Sequence, residues 1–422
     1  MSAALDIWLY GGFIGRLSSQ RTDHLRFDPT ETAMQRWGED STVLSIAVLL
    51  SIAVPLSPQR RPPADRLRAF FNGLLPEGSA RDALVRRFNL RPRDIIGLLR
   101  ELGEDCAGAV IAMPEDQRPA LRPSGYHELS HDELAQLVED LPTAPLGMGD
   151  GPVTRKSLAG VQPKLLLTRL TSGTWAYATD GAPSTHILKP EEAAYPGGAA
   201  NEAWCMRLAR ACGLTTVDVE VLAIGDTPVF CVSRYDRRRN DDVIERIHQE
   251  DMCQALGIET FDGRAKYGAH NPKRMTLRAF AEILRFHAPD ERIRLLAMTA
   301  FHIAIGNADA HGKNHSILHH LDGTIELAPI YDAWSTIQYP GLSRTLSLSI
   351  DRTFQLDAVT VARLVAEAES WGVGEGAALA TVSSTLDRLV EGVADDSLVI
   401  GLELAEQFVH SIRERVTSLQ RS

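Results

Sequence analysis

The sequence predicts an α+β protein of two lobes, the first strand-rich and the second mostly helical, with a ligand site between them. Three observations predict it. Between residues 157 and 235, short apolar or alternating runs ("PKLLLTRL", "TWAYAT", "THILKP", "TPVFCVSRY") are separated by Gly, Ser and Asp turns. After about residue 248 the pattern turns helical, through "QEDMCQALG", "TLRAFAEILRFH" and "ERIRLLAMTAFHIAIG" to an amphipathic tail over 357–420. Ahead of both, an extra subdomain begins with strands in "DIWLYGGFIGRL", continues with the helical "ADRLRAFFNGLL", and stops a helix at "NGLLPEG".

Composition agrees with this layout. A chain of 422 residues can hold two or three cores, and 44% apolar with 23% charged residues is ordinary for a globular protein. Two stretches rich in Pro and Gly, "MPEDQRPALRPSGYHELS" and "DLPTAPLGMGDGPVTRKS", mark a boundary near 118–150. The expected domains are 1–118, 150–240 and 241–422. Within the second, "ANEAWCMRLARACGL" (200–214) is a helix with Gly213 at its end. The run "VLSIAVLLSIAVPL" (43–56) is too short to span a bilayer and reads as a buried strand or helix.

A net charge of −11 argues against direct nucleic-acid binding as the main role. The arginines of "RYDRRRN" (234–240) form a local exception, read as a solvated face or a contact for phosphate or an acidic partner. Five scattered cysteines without a CxxC pair fit a reducing compartment and exclude a disulfide framework or a thiolate zinc site. No basic leader precedes an apolar core, so the expectation is a soluble cytoplasmic protein without a membrane partner.

The chemistry concentrates in "FHIAIGNADAHGKNHSI" (301–317). The preceding "LLAMTAFHIAI" is apolar all round, hence a buried helix, with Gly306 as its C-cap. Asp309 and Asn314 then stand at the D-x-x-x-x-N spacing of a kinase catalytic loop. There the Asp accepts the proton of the attacking hydroxyl and the Asn holds Mg²⁺, and Lys313 could neutralise the transferring phosphoryl group. "HSILHHLDGTIELAPIYD" reads as a hairpin turning at Asp322-Gly323 and ending at a second carboxylate, Asp332, suited to Mg²⁺. The competing reading is a metal hydrolase on Asp309, His311 and His315, but Gly312 and Asn314 disfavour the helix it needs.

Upstream, "RKSLAGVQPKLLL" (155–167) offers a loop whose amides could cradle phosphates, although a plain β-turn is the more common cause of such a stretch. Lys189, in the apolar strand "THILKP", needs a partner for its ammonium, from phosphate or from Glu202 on the next helix. "PVFCVSRYD" connects the lobes, and Tyr235 there could pack on a nucleotide base.

Taken in order, "SLAGVQPK", "HILKP", "VSRYDRR", "QEDMCQALG", "GNADAHGKNHSI" and "LAPIYD", with "NGLLPEG" before them, resemble the HipA-type serine/threonine kinase toxins of type II toxin–antitoxin modules. The resemblance implies a bilobal protein-kinase-like fold, ATP and Mg²⁺. By position it implies Asp309 as catalytic base and Asn314 and Asp332 as metal ligands. Ala159, Gly160, Val161, Gln162, Pro163 and Lys164 would form the phosphate loop, with Lys189 on the phosphates. Ser233, Arg234 and Tyr235 would line the adenine site, completed by His311, Gly312, Lys313, Asn314 and Tyr331. Ser157 sits where these kinases autophosphorylate and switch off. The implied partners are a HipB-like DNA-binding antitoxin, operator DNA mainly through that antitoxin, and a protein substrate of the aminoacyl-tRNA synthetase kind. Two departures stand out. Ser233 replaces a hinge glutamate, and Pro163 removes a backbone donor from the phosphate loop. The alternatives are a small-molecule kinase and a co-repressor of weak catalytic power acting through an antitoxin.

Overall fold

The computed structural model describes all residues except 1–3, 22–23, 39–40, 47–62, 116, 120–124, 148–155, 180, 241–242 and 405. The N-terminal part contains β1 (Ala4–Leu9), β2 (Gly12–Arg21), β3 (His24–Pro29), α1 (Glu31–Trp37), α2 (Ala64–Gly73), α3 (Gly78–Arg87), α4 (Ile95–Leu102) and β4 (Val110–Pro114). Its antiparallel sheet, ordered β3-β2-β1-β4, has its own core, in which Leu5, Ile7 and Leu9 alternate inward against Phe70, Phe71 and Leu99. Most of the apolar run at 43–56 lies outside the described residues, while Leu44 and Ile46 are buried.

The strand-rich lobe contains β5 (Tyr126–Glu128), α5 (His131–Asp140), β6 (Leu165–Arg169), β7 (Trp175–Ala178), β8 (His186–Pro190), α6 (Gly198–Ala211), β9 (Val219–Ile224), β10 (Thr227–Ser233), β11 (Arg237–Asn240) and β12 (Val243–Arg246). Six of these strands form an antiparallel sheet in the order β5-β7-β6-β8-β10-β9. The two-residue period sorts their side chains. Val229, Cys231 and Leu188 face α5, whereas Phe230 and Val232 join the core of the helical lobe. The same alternation turns Lys189 to the inner face, beside α6.

The helical lobe contains β13 (His248–Asp251), α7 (Met252–Ala255), α8 (Leu277–His287), α9 (Glu291–Ala304), β14 (Ser316–His319), β15 (Ile325–Leu327), β16 (Thr345–Ile350), β17 (Thr353–Gln355), α10 (Val361–Glu369), α11 (Glu375–Ala394) and α12 (Glu406–Gln420). Helix α9 is buried along most of its length from Leu295 onward, as the apolar stretch there requires, and packs on α11, α8 and α12. Gly306 ends it at φ 72°, donating to Ile303 O (3.2 Å), and a Cβ there would meet Ile337. "QEDMCQALG", expected to be helical, divides instead into β13 and the short α7. Its first residues pair with β14, and Asp251 then starts the helix through reciprocal bonds with Gln254, each 2.9 Å.

The N-terminal part docks on the core through buried polar contacts. Asp105 meets Arg237 at 2.9 Å and Arg234 at 3.4 Å, while Arg234 also bonds Asp236. Glu250 accepts from Ser45 Oγ and Ile46 N, both at 2.6 Å. Thus the arginine run divides in two. Arg238 and Arg239 are exposed, but Arg234 and Arg237 are sealed in this ion cluster. Removing one partner of such a cluster costs about 3–5 kcal/mol. All five cysteines are buried and free. Among the described residues no helix is long and apolar enough to cross a membrane.

Candidate functional site

A cavity of about 660 Å³ opens between the strand-rich and helical lobes. Its lining includes Ala159, Gly160, Val161, Gln162, Pro163, Lys164, Lys189, Ser233, Arg234, Tyr235, Asp309, His311, Lys313, Asn314, Tyr331 and Asp332. Stretches as far apart in the chain as Ala159 and Asp332 therefore converge on one space. Gly312 and Ser157 are not part of the lining. Gly312 packs behind the loop, where a Cβ would strike Met275, and its N–H donates to Lys266 O at 3.1 Å.

The Asp309–Asn314 loop follows directly from the α9 cap. Residues 312–314 make a single 3-10 turn, held by His311 N donating to Asn314 Oδ1 at 3.1 Å. His311 and His315 consequently do not share an α-helical face. His315 packs on His302, with ring centroids 5.9 Å apart, so the hydrolase geometry is not formed. Among the described residues no group of three or more His, Cys, Asp or Glu side chains could hold a metal. Burial, with Lys266 adding to it, lowers the His311 imidazole to about 3, and the ring is neutral.

Asp309 faces the cleft and accepts from Ser347 Oγ at 3.2 Å. The surrounding walls withdraw water and push its carboxyl above the usual aspartate range. Lys266 opposes that rise and Asp332 adds to it. Asp332 adopts φ 56°, a left-handed conformation that costs a non-glycine residue on the order of 1 kcal/mol. There it receives Lys189 Nζ on one oxygen at 2.5 Å and Asn314 Nδ2 on the other at 2.7 Å. Lys189 also donates to Glu202 at 2.7 Å, the pairing anticipated from the sequence. Burial opposes the Lys189 charge, but Asp332 and Glu202 outweigh it and keep the ammonium protonated. Burial moves Glu202 the other way, up to about 7.

The 159–164 loop closes the cleft on the strand-rich side. Gly160 takes φ 117°, and a Cβ there would collide with the Lys164 ammonium, which curls back to donate to Ala159 O at 2.9 Å. Lys164 is buried, and desolvation, helped by repulsion from Lys189, lowers it to about 8. At the connecting segment, Ser233 Oγ accepts from Asp218 N at 2.9 Å. The Tyr235 and Tyr331 rings lie 5.2 Å apart and form an aromatic wall.

Three side chains differ from their anticipated use. The Arg234 guanidinium is committed to Asp105, Asp236, Ser184 and the Cys106 carbonyl, so this residue meets the cavity from within that buried cluster. The Lys313 ammonium pairs with Asp251 at 2.8 Å and Glu77 at 3.3 Å and also donates to Gly73 O, which ties it beneath the loop. Ser157 is fully buried, its hydroxyl donating to Leu74 O at 2.5 Å. Sequence reasoning passed over Glu77, Lys266 and Asp251. The available signals were the acid inside "NGLLPEG", the lysine of "GRAKYG" in a glycine-flanked loop, and the aspartate of "QEDMCQ".

A strand-rich lobe and a helical lobe, with a lysine–glutamate pair above and an acid–amide loop below, define a protein of kinase-like fold. Residues 5–113 match the family model of the HipA N-terminal domain and residues 156–395 that of the HipA-like C-terminal domain. The chain belongs to the HipA family. It is 34% identical to the provisionally named kinase Y4mE of Sinorhizobium fredii, over 97% of this chain and 94% of that protein. It is 28% identical to the serine/threonine-protein kinase toxin HipA of Shewanella oneidensis, over 80% of this chain and 78% of the toxin. A chain from the solved Shewanella oneidensis complex of HipA, HipB and operator DNA superposes with a TM-score of 0.80 at 27% identity. That match covers 99% of this chain and 96% of that one.

Proposed function

We propose that this chain is the toxin of a type II toxin–antitoxin pair and acts as an ATP- and Mg²⁺-dependent serine/threonine protein kinase. The observation that carries the reading is the convergence of Asp309, Asn314, Asp332 and Lys189 on one interlobe cavity. Asp309 accepts the proton of the attacking hydroxyl and orients it. Its raised pKa makes it a stronger base than an ordinary aspartate. Asn314 and Asp332 are the residues that would hold Mg²⁺. One amide and one carboxylate suit a hard cation that arrives with phosphate oxygens. Bound Mg-ATP supplies the phosphoryl group and neutralises its developing charge. Lys189 and the 159–164 loop hold the phosphates, while Ser233, Tyr235 and Tyr331 line the base pocket. The side chains of Arg234 and Lys313 are structural supports in this reading. Their ion pairs already satisfy them.

The domain limits 1–118, 150–240 and 241–422 remain part of the proposal, as does a cytoplasmic location. The match to a chain of the Shewanella oneidensis complex of HipA, HipB and operator DNA supports a HipB-like antitoxin as partner, with operator DNA met mainly through it. A protein of the aminoacyl-tRNA synthetase class is the proposed substrate. Ser157 is the proposed site of autophosphorylation. Because its hydroxyl is sealed against Leu74, modification requires the 157–164 segment to leave that contact.

Purified protein incubated with Mg-ATP and mapped by mass spectrometry tests the reading. Phosphate is expected on Ser157, and Ser157→Ala is expected to remain active for longer. A wild-type chain that incorporates no phosphate sinks the kinase reading; phosphate elsewhere sinks only the Ser157 assignment.

Lys164 yields a pH dependence. In the free protein its ammonium is lost as pH rises through about 8, below the ordinary lysine range. Phosphates favour the charged form, so binding takes up a proton above that pH and nucleotide affinity falls as pH rises further. Lys164→Arg, which stays charged, is expected to flatten the profile between pH 7 and 9.5 in calorimetric titrations. Equal slopes in both proteins would remove Lys164 from phosphate binding.

A further inference from the structure

Glu77 belongs to the N-terminal subdomain, yet its carboxylate pairs with two lysines, Lys266 and Lys313, that line the cleft. It occupies the N-cap position of α3 but makes no side-chain cap bond. Its Oε2 instead stands 3.2 Å from Lys266 Nζ, and its Oε1 stands 3.3 Å from Lys313 Nζ. Its backbone N–H donates to Gly160 O in the proposed phosphate loop at 3.3 Å. Glu77 and both lysines are buried. Burial alone would raise the carboxyl, but Lys313, Lys266 and His311 outweigh it and hold it at about 2. Lys313 has a second carboxylate, Asp251, at 2.8 Å, and among the described residues Glu77 is the sole carboxylate paired with Lys266. Lys266 also faces Asp309 across the cleft, close enough to pull its carboxyl down.

We infer that Glu77 is a positioning residue for phosphoryl transfer, holding Lys266 so that Asp309 stays free of a direct ion pair and available to the acceptor hydroxyl. The inference rests on the kinase reading proposed above. It makes the docked N-terminal subdomain a working part of the site. Without the Glu77 charge, the buried Lys266 ammonium turns to Asp309, which lines the same cavity and already feels its charge, because a buried cation without a partner is costly. An Asp309 carboxylate paired in this way is a weaker base.

The test uses the full-length protein and measures kcat and KM for ATP in autophosphorylation, together with thermal unfolding. Glu77→Gln is expected to lower kcat at least tenfold with KM within twofold. Glu77→Asp is expected to recover part of the loss. Adding Lys266→Gln to Glu77→Gln is expected to raise kcat at least threefold over the single variant, since the misdirected cation is gone. A role confined to folding would lower Tm and raise KM, and removing Lys266 would not reverse it. A Glu77→Gln kcat within twofold of wild type overturns the inference, as does a loss that Lys266→Gln fails to reverse. In both cases the kinase reading stands. An inactive wild-type protein overturns that reading and this inference together.

Discussion

Asp309→Asn is expected to lower phosphoryl transfer by about 10²–10⁴-fold, the range a positioned general base contributes. Nucleotide affinity should stay within twofold, and expression of the variant should no longer arrest growth. Asn is nearly isosteric with Asp and keeps an oxygen for the Ser347 hydroxyl, now 3.2 Å from Asp309, so the loop is expected to hold its shape. What it lacks is a basic oxygen to take the hydroxyl proton. A variant that transfers phosphate at the wild-type rate, or remains toxic, would remove Asp309 from the mechanism.

Lys189→Met is expected to affect both stability and activity. The ammonium now bridges Glu202 and Asp332, at 2.7 and 2.5 Å. Asp332 is half-exposed to the cleft and can be hydrated, but Glu202 is buried, so its uncompensated charge dominates the penalty. Breaking a buried pair in this way costs about 3 kcal/mol. The sign of the pH effect follows from Glu202, whose carboxyl is already pushed to about 7 and rises further without Lys189. A raised carboxyl is stabilised by its proton, and that stability is lost as pH rises through its folded pKa. The deficit relative to wild type should therefore be smaller at pH 6 than at pH 8 in thermal unfolding. A constant difference across that range would mean that Glu202 is hydrated in the variant. Phosphoryl transfer should be lost at either pH, because the ammonium that joins Glu202 to Asp332 is gone.

Much of the fold was legible in the chain. Every strand read between 157 and 235 forms, because alternating apolar runs bounded by turn residues have few other ways to bury one face. Strands β9, β11 and β12 were missed. Strand β9 pairs at the edge of its sheet, and β11 and β12 carry charged side chains on an exposed hairpin, so each hides its apolar period. "QEDMCQALG" looked helical because its pattern is too short to show where pairing with β14 ends and the Asp251 cap begins.

The candidate site divides along the same line. Asp309, Asn314 and Asp332 were legible because local chemistry dictates their spacing: a buried helix, a glycine cap, a six-residue loop and a hairpin. Residue identity and order along the chain were enough to determine these parts, since each is built from neighbouring positions. The destinations of the long cationic side chains were not. Apart from the Glu202 that the sequence offers to Lys189, Lys189 also reaches Asp332, Lys313 turns to Asp251 and Glu77, and Arg234 is sealed against Asp105. Only the packed tertiary structure decides such pairings. The desolvation cost of a buried charge is met by whichever opposite charge the fold brings within about 3 Å, and that partner lies up to 236 positions away, as Glu77 does from Lys313.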